Sequence, residues 1–267
     1  MIRQLLKSLF ITIILTTVFT TGFCQFAYKI HKDLLIKGKV DSCITNYTTV
    51  YYKDSVEIKQ LVSKTIEYFD KHGKIVKFNT YVFSNNSDTV DVMKHPLITA
   101  YSYDKKGNIA EVVNYNSAGV DSKDVFIYTG NKSLVSINNY SLPDNKLQRV
   151  TKMKLNAIGD IEEYDYYVDT VYSAKPFTKI NFEYNAKGYL IKYSSSYSYT
   201  SKTRQTYCTY DPDDNLVQFR AEQSGSEPTI QDYNYPKFDK LHNWLLRNTY
   251  DKGKLRQSME RSITYYK

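Results

Sequence analysis

The feature that most constrains this chain is a short pattern repeated along it. An aromatic or apolar run leads to Asp or Asn, then two variable residues, then Gly, then a second alternating run. "YSYDKKGNIAEVVNY" (101–115) is the clearest copy. "IEYFDKHGKIVKF" (66–78), "MKLNAIGDIEEY" (153–164) and "FEYNAKGYLIKY" (182–193) keep the Asp or Asn and the Gly three positions on. "CTYDPDDNLVQF" (208–219) and "YPKFDKLHNWLL" (235–246) carry Asp214 and His242 where the others have Gly. "FIYTGNKSLVSI" (126–137) is a degraded copy. The anchors fall at 70, 104, near 129, and at 156, 185, 211 and 239. A spacing of about 25–34 residues suits one hairpin plus its connection to the next.

The residue types explain themselves as turn chemistry. Asp70, Asp104, Asn156, Asn185, Asp211 and Asp239 each open a turn, because a short carboxylate or amide bonds the backbone two residues on. Two residues then form a type I turn. The next must take positive φ to make a bulge, which Gly73, Gly107, Gly159 and Gly188 do without strain. Asp214 and His242 are strained but tolerated substitutes. Asn108, Asn215 and Asn243 close their turns.

The flanks read as strands. "YSSSYSYTS" (193–201) puts Tyr193, Tyr197 and Tyr199 on one face and Ser194, Ser196, Ser198 and Thr200 on the other, a two-residue period that contradicts helix. After Gln25 no amphipathic helix emerges, and the connections are polar and turn-rich. The expected fold is therefore all-β: an antiparallel hairpin-repeat meander of about seven hairpins and fourteen or more strands. So many strands rarely stay flat, so the array is expected to curl into a twisted sheet, a half-pipe or an open barrel. The lead-in and the terminal "RSITYY" strand would cap its two edges.

Residues 1–24 read as a signal peptide. Arg3 and Lys7 precede the uncharged "SLFITIILTTVFTTGF", and polar, strand-like residues follow. Cleavage is expected between Cys24 and Gln25; bulky Phe23 speaks against a lipid anchor on Cys24. Removing Arg3 and Lys7 lowers the net charge from +8 to +6, with 34 basic against 28 acidic residues. Residues 25–60 are lead-in strands and 61–267 the repeats, in one continuous domain with no transmembrane span after cleavage. Export places the protein in the periplasm, on the outer surface or in the medium. Cys43 and Cys208 would remain, too far apart in an extended array to bridge.

The run "YSYDKKGN" resembles the YD repeat of RHS-type proteins. The end of the chain, with Asn243, Trp244, Arg261, Ile263, Tyr265 and Tyr266, is similar to that of small secreted YD-like proteins of Bacteroidetes-type bacteria. The resemblance covers about residues 60–267 and departs from the pattern at Asn156, Asn185, Asp214 and His242. It implies a curling antiparallel β array of the kind that serves as shell, spacer or carbohydrate-binding surface.

Catalytic motifs are missing from the sequence. There is no nucleophile elbow and no phosphate loop, and His31, His72, His95 and His242 lack the spacing of a zinc pair. "DPDDNLVQFRAE" spaces Asp211, Asp213, Asn215 and Glu222 like a calcium loop, but Leu216 stands where the sharp turn wants Gly. Asp160, Glu162, Glu163, Asp165 and Asp169 read as an acidic strand edge. The sequences at 54–56, 88–90 and 169–171 resemble an O-glycosylation triplet and also read as turns entering strands. No metal, cofactor or nucleic-acid partner is expected: the basic residues are spread out, and export separates the chain from cytoplasmic nucleic acid. The 27 tyrosines are the remaining lead. Tyr193, Tyr197, Tyr199, Tyr233, Tyr235 and Trp244 are the candidates for stacking against a ligand, unless they are spent on cross-strand pairs. The expectation is a non-enzymatic envelope module that binds a glycan or protein partner. A purely structural spacer, and a glycan hydrolase using the 160–169 carboxylates, are the alternatives.

Overall fold

The computed structural model describes residues 36–84, 91–92, 96–129, 133–142, 144–168, 175–200 and 202–266. The expected signal peptide, Cys24, His31, His95, Gly130, Asp169 and the triplets at 88–90 and 169–171 lie outside them. Among the described residues, seventeen strands follow one another. They are β1 (Val40–Lys53), β2 (Val56–Phe69), β3 (Ile75–Ser84), β4 (Asp91–Val92), β5 (Leu97–Tyr103) and β6 (Ile109–Asn116). Then come β7 (Gly119–Thr129), β8 (Leu134–Ser141), β9 (Lys146–Leu155), β10 (Ile161–Val168), β11 (Thr178–Tyr184) and β12 (Leu190–Tyr197). The last are β13 (Thr203–Tyr210), β14 (Leu216–Gln223), β15 (Thr229–Phe238), β16 (Trp244–Asp251) and β17 (Lys254–Tyr265).

Each strand pairs antiparallel with its sequence neighbours, except that β3 passes to β5 while β4 hangs from the end of β3. The meander then closes, because β17 pairs with β1 through Ile263↔Cys43, Arg261↔Thr45 and Met259↔Tyr47. Sixteen strands thus form a closed barrel. The half-pipe and the open barrel expected from the sequence are corrected by this seam. The lead-in strand and the terminal strand do not cap separate edges; each satisfies the other's unpaired backbone groups.

Six turns share one geometry. In the turn at 104–108, Asp104 Oδ1 accepts from the backbone N–H of Lys106 and of Asn108 at 2.9 and 2.8 Å. Gly107 N–H donates to Asp104 O at 2.9 Å, and Asn108 Nδ2 donates to Asp104 Oδ2 at 2.7 Å. Asp70, Asn156, Asn185, Asp211 and Asp239 anchor the equivalent turns. The fourth residue has positive φ in all six, including Asp214 at 65° and His242 at 59°. The strand leaving each turn contains a register shift after its first residue, as between Ser102/Tyr103 opposite Ile109 and Glu111.

A tyrosine ladder links one repeat to the one before it. The hydroxyls of Tyr103, Tyr128, Tyr184, Tyr210 and Tyr235 donate to the carbonyl oxygens of Ile75, Ile109, Ile161, Leu190 and Leu216, at 2.5–3.1 Å. The tyrosine of the repeat is therefore a staple between hairpins, not a surface feature.

Strand direction sorts the connections between two ends. All six turns, and the chain ends of the barrel at Val40 and Tyr265, share one end, here the turn end. The strand ends at Lys53/Val56, Asn116/Gly119, Ser141/Lys146, Val168/Thr178, Tyr197/Thr203, Gln223/Thr229 and Asp251/Lys254 share the other, the loop end. One sheet face is buried: on it Val112, Phe126, Val135, Ile137, Met153, Tyr164 and their neighbours form an apolar and aromatic cluster running from β3 to β14, and buried Thr99, Asn114, Asp124 and Asn139 share that face. That alternation is what the two-residue period of the sequence encodes.

Candidate functional site: an aromatic rim at the loop end

At the loop end, two connections are tied together by their backbones. Phe177 N–H donates to Tyr166 O at 2.7 Å, and Ser198 N–H donates to Phe177 O at 2.9 Å. Thr200 N–H closes its own turn on Tyr197 O at 3.2 Å. This places four rings in series. Tyr166 meets Phe177 edge-on at 6.3 Å, Phe177 meets Tyr199 at 5.2 Å, and Tyr199 meets Tyr197 at 5.6 Å. Tyr199 is 69% exposed and Phe177 39%. Backbone hydrogen bonds thus hold Phe177 and Tyr199 in water, where they lose the burial that normally stabilises an aromatic side chain, while Tyr197 is half-buried and Tyr166 packs against the buried cluster. Flat faces and peripheral hydroxyls are chemically suited to stacking on another ring system.

The other sequence candidates lie elsewhere. Tyr193 is on the inward face against Phe182 and Phe219, at 6.0 and 6.3 Å, and burial pushes its hydroxyl pKa up. Tyr235 is one of the staples and packs on Trp244 at 6.1 Å. Trp244 is only 3% exposed; the guanidinium groups of Arg261 and Arg247 lie over it at 3.5 and 5.3 Å. Tyr233 lies under Arg247 at 5.2 Å. Of the six candidates, the structure brings Tyr197 and Tyr199 together at the rim. Phe177 and Tyr166 join them without having been singled out. The one signal for Phe177 was an isolated aromatic after "SAKP" in a polar connection.

Among the described residues, the carboxylates of 160–165 do not converge on a cleft. Asp160 belongs to a turn at the turn end. On the outward side of β10, Glu162 pairs with Lys154 at 2.9 Å and Glu163 with Lys179 at 2.6 Å. Burial raises the Asp165 pKa, and Lys179 opposes that shift. In the calcium-like stretch, both Asp211 oxygens are engaged by the Asn215 side chain, and Glu222 pairs with Arg220 at 2.6 Å. Among the described residues, no three His, Cys, Asp or Glu side chains cluster as metal ligands. Cys43 and Cys208 form no disulfide with each other, and both are buried.

The outward face is charged. Besides these pairs it carries Lys192 with Glu183 at 2.9 Å, and Lys152 over the Tyr167 ring at 5.2 Å. A lysine or arginine facing lipid at mid-membrane costs about 2–4 kcal/mol. Lys152, Lys154, Lys179, Lys192 and Arg220 alone make a lipid-facing wall strongly unfavourable on that scale. An outward face that carries these charges suits a barrel whose outer wall meets water. Among the described residues no helix is long and apolar enough to cross a membrane.

No protein-family model matches the sequence, and no curated protein does. Among solved structures, a porin-like protein from Bacteroides uniformis superposes with a TM-score of 0.57 at 10% identity, over 84% of this chain and 98% of that one. A porin-like protein from Bacteroides vulgatus gives a TM-score of 0.37 at 14% identity, over 86% and 99%. The TcdB2-TccC3-Cdc42 complex gives 0.29 at 9% identity, over 78% of this chain and 15% of that one. The first of these likenesses speaks to the all-β barrel fold.

Proposed function

We propose that the protein is an exported, non-enzymatic envelope module that binds a glycan chain at the Phe177–Tyr199–Tyr197 rim. The observation that carries this reading is the row of rings, Phe177 and Tyr199 exposed and Tyr197 half-buried beside them, held in place by backbone hydrogen bonds between two connections. Envelope placement is supported by the apolar N-terminal segment of the sequence and by the barrel fold shared with a porin-like Bacteroides protein. The charged outward wall favours a role in an aqueous compartment over a pore. The staple ladder favours the spacer reading as a second possibility, since it accounts for many tyrosines without any ligand.

The two readings separate in a sedimentation assay of the purified full chain on insoluble peptidoglycan and envelope polysaccharide. An aromatic contact is worth about 0.5–1.5 kcal/mol beyond its buried area, so Tyr199→Ala or Phe177→Ala should weaken binding up to roughly tenfold. No binding at all would leave the spacer reading standing, and saturable binding that both substitutions leave untouched would overturn the rim as the site.

A further inference from the structure

We infer that the rim selects an acidic glycan, one whose sugar units carry carboxylates, with Arg204 and Lys202 as the groups that recognise the charge. The inference rests on the glycan-binding reading above and adds the class of sugar. No Asp or Glu occurs in the sequence from 184 to 210, a stretch that holds Lys187, Lys192, Lys202 and Arg204. Lys187 and Lys192 are already neutralised by Asp214 and Glu183, both at 2.9 Å. Lys202 and Arg204 are exposed and have no ion pair among the described residues.

Both sit beside the rings. Arg204 lies directly across from Ser195, two residues from Tyr197 on the same face of the sheet. Its charge reaches inward, where it stabilises the ionised form of the Tyr193 hydroxyl. Lys202 follows Tyr199 in the same connection, with its N–H held by Thr200 Oγ1 at 3.1 Å. The described part of the facing connection, 175–177, adds a third exposed cation, Lys175, and no carboxylate.

The chemistry then selects its ligand. A guanidinium presents two parallel N–H donors that match the two oxygens of a carboxylate, and an ammonium supplies a point charge beside them. Rings alone would stack on any pyranose. Rings flanked by two unpaired cations, with no carboxylate in 175–177 or 184–210 and the nearest, Glu222, already paired with Arg220, favour a polymer that brings its own negative charge at each unit. Positive potential over the rim also speeds the encounter with such a polymer.

The test is affinity electrophoresis of the full chain through gels holding polygalacturonate, neutral dextran or heparin, at low salt and at physiological salt. The proposal expects retardation by polygalacturonate that persists at physiological salt and exceeds that by dextran. Arg204→Gln and Tyr199→Ala should each weaken it about tenfold, while Lys154→Gln on the outward wall leaves it unchanged. Circular dichroism of each variant checks that the barrel is intact. Equal retardation by dextran and polygalacturonate, indifferent to Arg204→Gln, overturns the acidic-glycan inference and leaves glycan binding standing. Retardation by heparin and polygalacturonate alike that vanishes with salt and ignores Tyr199→Ala overturns it in favour of general charge attraction. No retardation in any gel overturns both.

Discussion

Replacing Gly73 and Gly107 with alanine should cost measurable stability, for reasons that differ between the two sites. Gly73 has φ of +77°, and a Cβ there meets nothing within 4 Å. The cost at Gly73 is therefore backbone strain alone, about 1–2 kcal/mol for an L-residue in the left-handed region. Gly107 has φ of +80°, and its Cβ would lie 2.6 Å from Lys74 Nζ. Lys74 must then swing away from the Tyr103 ring, over which it sits at 4.8 Å. An exposed cation–π contact is worth about 0.5–1 kcal/mol, so Gly107→Ala should cost that much more than Gly73→Ala. The reverse experiment is His242→Gly. Relief of about 1–2 kcal/mol of strain at φ of 59° is offset by about 0.4–1 kcal/mol of added unfolded-state entropy. A net gain of roughly 0.5–1 kcal/mol is expected. Urea unfolding followed by circular dichroism reads these as shifts in midpoint at constant slope. At about 2–4 °C per kcal/mol for a chain near this size, Gly73→Ala should lower Tm by roughly 2–8 °C. Unchanged midpoints for both alanine variants, or a destabilised His242→Gly, would refute the turn geometry as the source of repeat stability.

Three further outcomes follow from the structure. Tyr103→Phe removes the 2.5 Å hydrogen bond to Ile75 O and should cost about 0.5–1.5 kcal/mol, whereas Tyr199→Phe at the rim should cost nothing measurable in the same unfolding assay. Burial holds the Asp124 carboxyl above its ordinary pKa, against opposing help from Asn139 and Arg149. The ionised form thus burdens the native state at neutral pH, and the burden fades as pH falls through the folded pKa toward the unfolded value. Asp124→Asn, whose amide oxygen can still accept from Asn139 Nδ2, should raise Tm at pH 7 and lose that advantage near pH 4; an advantage that grows in acid would contradict this. Burial likewise pushes the Cys43 thiol up to about 11, with Glu67 adding to the shift, so iodoacetamide should modify Cys43 only after denaturation. Prompt reaction in the native state would show that the β1–β2 region opens.

The local chemistry of the turns was legible in sequence because it acts within five residues. Asp104, Gly107 and Asn108 bond to one another, so their types alone imply the geometry. Even Asp214 and His242 take positive φ. Closure was not legible, because the seam joins Cys43 to Ile263 and Thr45 to Arg261, and no short-range pattern specifies so distant a register. The facing of Trp244 was obscured by the register shift after the first residue of the strand. One extra residue reverses which side every preceding side chain faces, so simple alternation counts to the wrong face. The rim was half legible. Tyr197 and Tyr199 stood out in an alternating run, but Phe177 reaches them only through backbone bonds between separate connections.

A closed barrel whose charged face meets water is what leaves the loop-end rim accessible to a polymer. Cysteine scanning tests this directly, since the native thiols at Cys43 and Cys208 are buried. Asn181 and Ser196 are exposed on the outward side of β11 and β12, opposite Ser194 and Lys179. Asn181→Cys and Ser196→Cys should label fully with a membrane-impermeant maleimide, equally in membrane-containing lysate and after detergent. Protection in the membrane fraction that detergent relieves would mean these strands face lipid, and the water-facing barrel with its loop-end rim would be wrong.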